Sequence, residues 1–109
     1  MSTQSIKYHK LVRDKIPQII EASDKHCAYS ILNDDEYIAL LDQKLTEELN
    51  EYQESKSMEE LADLLEVMIA VAKVRGSSIE EVEIIRLKKA AERGGFDKRI
   101  LLEEVYTDN

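Results

Sequence analysis

The apolar residues of this chain recur at helical spacing over its central and C-terminal parts. In residues 34–53 they form one stripe with steps of three or four residues: Ile38, Leu41, Leu45, Leu49 and Tyr52. Residues 58–75 are apolar on nearly every side, and a third helical pattern covers residues 79–93. We predict three long helices, of which the second is the central element of a helical bundle.

Polar residues at the predicted helix ends agree with these boundaries. A serine stands three residues before a glutamate at two predicted starts, in Ser57 with Glu60 and in Ser78 with Glu81. This S-x-x-E spacing is the capping box, in which the two residues satisfy backbone N–H groups of the first turn. Glycines at positions 76 and 94 are natural stops, because glycine readily adopts the left-handed conformation that ends helices.

The N-terminal part shows a weaker pattern. The stretch KLVRDKIPQIIEASDK, residues 10–25, predicts an extended segment followed by a short helix. We expect Asp14 to be the N-cap of this helix and Pro17 to lie inside its first turn. The stretch HCAYSIL, residues 26–32, favours extended backbone. We expect a lone extended segment there.

Length and composition bound the fold class. With 109 residues, one proline, three glycines and no tryptophan, the chain has few of the turn residues that a β-sandwich or barrel requires. We expect one domain over residues 1–109, long enough to bury a core but too short for two domains. The predicted fold is all-α.

Charge and cysteine content narrow the expected partners. The net charge of −8 opposes binding to a nucleic-acid backbone, and no apolar run approaches the about 20 residues of a membrane helix. No segment resembles a signal peptide, and Cys27 has no second cysteine for an intrachain disulfide. We therefore expect a cytoplasmic protein without nucleic-acid or membrane partners. His9 and His26 lack the spacing of a zinc helix, so zinc is not expected.

The acids of the first long helix do not all lie on its solvated face. Residues 34–66 hold twelve acids and only two lysines. Glu47 and Glu54 lie opposite the apolar stripe, as solvated residues do. Glu48, however, falls at the edge of the stripe, and Glu51 lies one step further round on the same flank.

Two acids of the second helix also lie close to packed surface. The helix has one polar stripe, formed by Glu59, Glu66 and Lys73. Glu60 and Asp63 fall outside this stripe, between apolar residues. Because unpaired buried carboxylates are costly, such groups are normally neutralised, hydrogen-bonded or bound to a cation.

The short connection at residues 54–56 predicts that these two helices form an antiparallel hairpin. Residues equally far from the turn then lie at the same height, which places Glu51 opposite Glu60 and Glu48 opposite Asp63. Four converging carboxylates suit a hard divalent cation such as Mg²⁺ or Mn²⁺. A simpler reading stays open: Glu60 also completes a capping box, and Asp63 also favours the positive start of its helix.

Basic residues flank the acidic centre. Residues 86–99 hold six bases and two acids, and residues 7–15 hold four bases and one acid. Single lysines and arginines are usually solvated surface residues. Carboxylate-held Mg²⁺ beside lysine and arginine is, however, the arrangement that polyphosphate chemistry requires, which favours a metal site.

Four segments of the chain resemble one protein family: YHKLVRDKIPQII, DDEYIALLDQKLTEELNEY, EELADLLEVMIAVA and KKAAERGGFDKRILLEEV. EELNE followed by EELAD fits the EExxE…ExxD pattern of the all-α nucleoside triphosphate pyrophosphohydrolases, the MazG-like superfamily that includes phosphoribosyl-ATP diphosphatase. The similarity covers nearly the whole chain and is strongest to small bacterial and archaeal proteins described as phosphoribosyl-ATP pyrophosphohydrolase-like. It implies a helical bundle whose four-helix core is completed by homo-oligomerisation, as a dimer or tetramer.

The resemblance also implies an activity and the residues that carry it. The reaction is Mg²⁺-dependent cleavage of a nucleoside triphosphate between the α and β phosphates, giving a nucleoside monophosphate and pyrophosphate, with Mn²⁺ as a substitute metal. By position, the metal ligands are Glu48, Glu51, Glu60 and Asp63. Glu47 matches the first glutamate of the motif, which is assigned to water or to an additional metal. The expected phosphate contacts are Lys89, Arg93, Arg13 and Lys15. No base-reading element is recognisable.

Other functions remain open on the sequence. Within the family the alternative to nucleotide-pool house-cleaning is the phosphoribosyl-ATP diphosphatase of histidine biosynthesis. A non-catalytic helical assembly module would keep the apolar stripes and need none of the four acids. A di-iron protein would need Glu-x-x-His on two helices, and neither His9 nor His26 follows a glutamate at that spacing. The apolar second helix has more surface than one chain can cover, so we expect it to form the oligomer interface.

Overall fold

The computed structural model describes residues 4–108 and contains four helices in that range. They are α1 (Ile16–Ala22), α2 (Asp34–Ser55), α3 (Met58–Val74) and α4 (Ile79–Arg93). The all-α prediction is confirmed, because no strand occurs in the described part of the chain. Residues 26–32, which favour extended backbone in the sequence, have no regular secondary structure and no strand partner.

The serine half of the predicted capping boxes is confirmed at α3 and α4, but the Ser57 N–H donates to Ser55 Oγ rather than to Glu60. Ser57 Oγ accepts a hydrogen bond from the Glu60 N–H at 3.3 Å, and Ser78 Oγ accepts one from the Glu81 N–H at 3.1 Å. α2 has a cap that the sequence analysis missed, since Asn33 Oδ1 accepts from the N–H of residue 36 at 2.9 Å. Each cap satisfies one of the free N–H groups of a first turn and so fixes where the helix begins.

The end of α3 explains the glycine that follows it. Gly76 has φ of 82°, in the left-handed region that favours glycine. Its N–H donates to the Lys73 carbonyl at 3.1 Å, and the Ser77 N–H donates to the Ala72 carbonyl at 2.9 Å. These two bonds form a Schellman motif, which stops the helix and turns the chain towards α4.

The start of α1 differs from the prediction. Lys15, not Asp14, occupies the N-cap position, and it makes no side-chain capping bond. Pro17 lies in the first turn, as predicted, where its missing N–H is tolerated. Asp14 was therefore wrong as the N-cap, because the helix begins one residue later than the capping rule suggested.

α2 and α3 form an antiparallel hairpin that contains the small buried core of the chain. Leu41 of α2 is 3% exposed and Ala72 of α3 is 8% exposed, and within residues 4–108 they are the only buried hydrophobic residues. A hydrogen-bonded ion pair between Arg75 and Asp42, at 2.8 Å, joins the open end of the hairpin. The hairpin thus holds two facing helix surfaces in a fixed register.

The other two helices pack little against this hairpin. α4 contacts α3 near its own first turns, and α1 packs against none of the other described helices. The described chain is elongated, with extents of 81 × 31 × 24 Å and a radius of gyration of 20.1 Å. A compact chain of about 100 residues would have a radius near ~13 Å. A four-helix core is therefore not present within a single chain.

No helix in the described range combines the length and the apolar character that crossing a bilayer requires.

Candidate metal centre

Three carboxylates from the two facing helices converge near the closed end of the hairpin. Glu48 comes from α2, whereas Glu60 and Asp63 come from the first turns of α3. One oxygen of each lies within 4.8 Å of one oxygen of both others. The i, i+3 spacing brings Glu60 and Asp63 onto one side of α3, and the register of the hairpin brings Glu48 opposite them.

Burial separates this cluster from an ordinary acidic surface. Glu48 is only 7% exposed, and Glu60 and Asp63 are partly buried. Glu48 Oε2 and Glu60 Oε2 are both shielded from solvent and have no hydrogen-bond partner within residues 4–108. Most buried polar atoms in folded proteins have a partner, so two unpaired carboxylate oxygens in one cluster fit a site that binds a cation.

The electrostatics of the cluster agree with this geometry. The pKa of Glu48 is raised from its ordinary value of 4.5, chiefly by burial and then by the negative charge of Glu51, and Lys44 opposes the rise. The pKa of Glu60 is also raised, again by burial first and then by the negative charge of Glu51. In both groups the ionised form is disfavoured, first by burial and then by the negative charges of the neighbouring carboxylates.

Glu51 adjoins the cluster without being fully part of it. Its side chain is exposed, and it does not belong to the group of three whose oxygens lie within 4.8 Å of one another. Its negative charge nevertheless contributes to the raised pKa of both Glu48 and Glu60. The predicted proximity of Glu48 and Asp63 is present in the folded chain, since one oxygen of each lies within 4.8 Å of the other, whereas the pairing of Glu51 with Glu60 stays a prediction.

Two cations lie at the edge of the cluster. Lys44 Nζ is 3.6 Å from Glu48 Oε1 and 3.4 Å from Glu47 Oε2. Arg13 reaches from the N-terminal segment and donates to Asp63 Oδ1 at 2.6 Å. Sequence reasoning missed Lys44, although a lysine four residues before a glutamate on a helix is a recognised pairing signal. These cations partly compensate the acids and leave the two buried Oε2 atoms unpaired.

The remaining predicted site residues lie further from the three acids. Glu47 is partly buried and pairs with Lys44, on the side of α2 next to Glu48. Lys15 is exposed at the start of α1. Lys89 and Arg93 line a depression at the C-terminal end of α4, and no ion pair in the described range joins them to the cluster. Their assignment to phosphate stays a prediction.

The donor set fits a hard divalent cation. Every candidate ligand atom is a carboxylate oxygen, and the cluster contains no sulfur or imidazole. Mg²⁺, Mn²⁺ and Ca²⁺ prefer such ligands, whereas zinc and copper sites usually include nitrogen or sulfur. A cation placed between the buried Oε2 atoms would give each the partner that it lacks.

Part of this chain is similar to a known protein. An uncharacterized protein of Mycolicibacterium smegmatis is 52% identical to this chain over 42 residues. The alignment covers 38% of this chain and 43% of that protein, less than half the length of either. No family model matches the chain, and no solved structure matches it.

Proposed function

We propose that the protein is a Mg²⁺-dependent nucleoside triphosphate pyrophosphohydrolase that releases a nucleoside monophosphate and pyrophosphate. The observation that carries the proposal is the unpartnered, buried Oε2 of Glu48, which faces two further carboxylates across the hairpin. An acid cluster formed for solubility would be solvated. Glu48 is instead buried, and burial raises the pKa of its carboxyl, as occurs in many functional sites.

The ligands that we assign are Glu48, Glu60 and Asp63, with Glu51 completing the set. Mg²⁺ held there would supply the charge neutralisation and the water activation that phosphoryl transfer requires. Lys44 lies 3.6 Å from one oxygen of Glu48 and so partly offsets the charge of that carboxylate. Glu47 also forms an ion pair with Lys44, so we assign it an indirect role beside the metal ligands.

Arg13 is the described cation best placed to contact a substrate phosphate at this centre. Its guanidinium already lies on Asp63, and its side chain remains more than half exposed. Arginine can bind a carboxylate and a phosphate with different N–H groups of its fork. We therefore keep Arg13 as a phosphate contact and expect Lys15 to act from the same segment.

We also propose that the active protein is a homo-oligomer formed through α3. Four apolar residues of this helix are spaced three or four apart and are 38–67% exposed in the single chain: Met58, Leu61, Leu65 and Met68. The elongated shape and the very small core support the same conclusion, since one chain buries too little apolar surface. A second copy would cover this stripe and give a four-helix core.

A panel of common and modified nucleoside triphosphates, each assayed for pyrophosphate release at saturating Mg²⁺, tests the proposal. We expect release from at least one of them, with loss of activity in Glu48→Gln. Glu54→Gln is the matched control, because it makes the same chemical change on an exposed position of the same helix. The proposal fails if no triphosphate is cleaved or if both variants are equally active.

A non-catalytic assembly module is a second candidate, favoured by the long exposed apolar stripe of α3. Such a module would not need a divalent cation. Titration with Mn²⁺, followed by electron paramagnetic resonance, separates the two candidates. Saturable binding in the wild type that is weakened in Glu48→Gln supports the enzyme, whereas no binding in either supports the module.

A further inference from the structure

Two apolar surfaces of the described chain lack a partner, and the first is a groove where α2, α3 and α4 meet. It has a volume of about 270 Å³, and every side chain that lines it is apolar: Leu45, Met68, Val71, Ala72, Ile79 and Val82. Small-molecule sites usually combine apolar walls with a few polar groups that orient the ligand. This apolar groove offers no such side chain, so its chemistry favours an apolar side chain of a protein as the occupant.

The second surface is the segment that follows α4, residues 100–106. It has no regular secondary structure, yet five of its seven side chains are large, apolar and 75–84% exposed: Ile100, Leu101, Leu102, Val105 and Tyr106. Segments that remain in solvent are usually polar, because contact of apolar side chains with water is unfavourable. The composition of this segment therefore indicates that a protein surface covers it.

The distribution of charge connects this segment with α4. Steps of three and four residues align five side chains on one face of the helix, which begins apolar and ends basic: Ile79, Val82, Arg86, Lys89 and Arg93. In the segment, apolar residues 100–102 are followed by the acids Glu103 and Glu104. None of the ion pairs in the described range involves Lys89, Arg93 or these two acids. Unpaired cations and unpaired acids thus follow apolar residues on both surfaces.

The spacing of apolar and charged residues also agrees between the two surfaces. Val82 and Lys89 are seven residues apart on α4, which is about 10 Å along a helix. Leu101 and Glu104 are three residues apart, which is again about 10 Å in an extended chain. An extended segment that lies along α4 can therefore place a leucine on the apolar groove and a carboxylate beside Lys89.

We infer that residues 100–106 form an arm that docks on the apolar groove and the basic face of α4 in a second copy of the chain. Within one chain both surfaces stay exposed, so the arm does not cover its own groove. Met68 belongs both to the groove and to the exposed α3 stripe of the proposed oligomer interface, so the two surfaces are continuous. Exchange of arms about a two-fold axis would cover both grooves. The inference rests on the proposed homo-oligomer and is independent of the reaction.

The first test incorporates the photoreactive residue p-benzoylphenylalanine in place of Leu102 in the full chain. On irradiation its ketone inserts into nearby C–H bonds, so the result does not depend on the exact register of the arm. We expect a covalent dimer on a denaturing gel, with the crosslink mapped by mass spectrometry to the groove, at Met68 or Val82. Incorporation at Ile31 is the matched control, because Ile31 is also strongly exposed but lies outside the arm, and it should give no crosslink to the groove.

Three outcomes of this experiment overturn the inference. A crosslink within one chain would show that the arm covers its own groove. A crosslinked dimer joined at another surface would show that the arm docks elsewhere. Absence of a crosslink would show that no copy of the chain receives the arm.

The second test reverses charges at the same interface. Glu104→Lys should raise the dissociation constant of the oligomer by about two- to tenfold, because it replaces attraction to Lys89 by repulsion. Adding Lys89→Glu should restore the affinity, whereas adding Lys88→Glu, one residue away and on another face of α4, should not. Sedimentation velocity over a dilution series measures the dissociation constant. An unchanged constant in Glu104→Lys, or equal effects of the two added substitutions, overturns the inference.

Failure of the inference and failure of the proposed function are distinguishable. Pyrophosphate release by an oligomeric wild type that gives no covalent dimer through position 102 rejects the arm alone. A covalent dimer through the groove, without release of pyrophosphate from any triphosphate, rejects the hydrolase and supports the arm. A wild type that is monomeric by light scattering rejects both the arm and the proposed oligomer.

Discussion

Glu48 illustrates how the position of one residue can decide its chemistry. It lies at the edge of the apolar stripe of α2, so packing of α3 against that stripe also buries its carboxylate. One oxygen meets Lys44, and the other meets no partner in the described range. The nearby Glu54 has the same side chain but lies on an exposed face and shows none of these features.

The first prediction at the residue scale concerns the ligands. Turnover should fall in each of four variants: Glu48→Gln, Glu51→Gln, Glu60→Gln and Asp63→Asn. We expect each loss to exceed the factor of about 10 to 100 that follows when a residue bonded to a metal ligand is removed. They should not unfold the chain, because each removes a negative charge from a repelling cluster. Steady-state kinetics at saturating Mg²⁺ measures the loss. Two or more variants with near wild-type turnover would contradict the assignment.

The controls for this prediction are acids outside the cluster. Glu54→Gln and Glu66→Gln should be nearly silent, because both side chains are exposed. Substitutions at such positions usually change stability by less than about 0.5 kcal/mol. If Glu66→Gln lost as much activity as Asp63→Asn, the separation of α3 into a solvated face and a site face would be wrong.

The second prediction at this scale concerns pH. The pKa values of Glu48 and Glu60 are raised above 4.5 by folding, so the metal-free folded state binds protons more tightly than the unfolded state. The stability linked to this difference is lost as pH rises through the raised pKa values, and it is fully present below the ordinary value. The metal-free protein should therefore become more stable as pH falls from neutral towards about 5.

Thermal unfolding in the presence of a chelator, across that pH range, measures this effect. Glu48→Gln should flatten the pH dependence and raise the melting temperature at neutral pH, because the amide carries no charge to desolvate. Excess Mg²⁺ should reduce the dependence in the wild type, since protons and the metal compete for the same oxygens. A wild-type melting temperature that falls steadily with acidification would contradict the prediction.

At the scale of elements, the helix ends set where the acids lie. The Ser57 cap fixes the first turn of α3, which contains Glu60. The Schellman motif at Gly76 fixes the other end of the same helix. α3 is therefore defined at both ends by local hydrogen bonds, and its register against α2 follows from the short connection between them.

Gly76→Ala should destabilise the protein by about 1–2 kcal/mol, because an alanine at φ of 82° is strained. An added Cβ would meet no atom within 4 Å, so the loss comes from the backbone alone. Gly95→Ala is the control, since that position also has open space and lies outside the left-handed region. Urea unfolding at equal protein concentration measures both, and equal effects at the two positions would contradict this account.

At the scale of the whole molecule, the single chain does not close around its own apolar surface. α2 covers one side of α3, while α4 diverges from it, so the stripe from Met58 to Met68 remains partly exposed. Exposed apolar residues also occur beyond α4, among them Ile100, Leu101 and Val105. A second copy of the chain is the partner that we expect on the α3 stripe.

Leu65→Glu should shift the protein from oligomer to monomer, because it places a charge at the centre of the α3 stripe. Light scattering at low micromolar concentration measures the mass, which should be at least twice 12.6 kDa for the wild type. Glu66→Lys is the matched control, because it changes charge on the next, exposed residue. A wild-type monomer of 12.6 kDa with full activity would contradict the oligomer.

Local sequence patterns determined the helices of this protein. Apolar periodicity and the serine caps gave the starts of α3 and α4, and the glycine at position 76 gave the end of α3, because these features act within one or two turns of chain. Local patterns also predicted that Glu48 lies opposite Asp63, because the short connection between α2 and α3 restricts the register of the hairpin. They were wrong about Asp14, where several polar residues compete to begin one short helix.

Tertiary structure decided how those residues are surrounded. The contact of Arg13 with Asp63 spans fifty positions of sequence, which no local pattern encodes. The burial of Glu48 depends on how closely α3 packs on α2, and its raised pKa follows from that burial together with the charge of Glu51. Periodicity determines which side of a helix a residue faces, whereas desolvation depends on what occupies the space opposite, and that is fixed only when the helices pack.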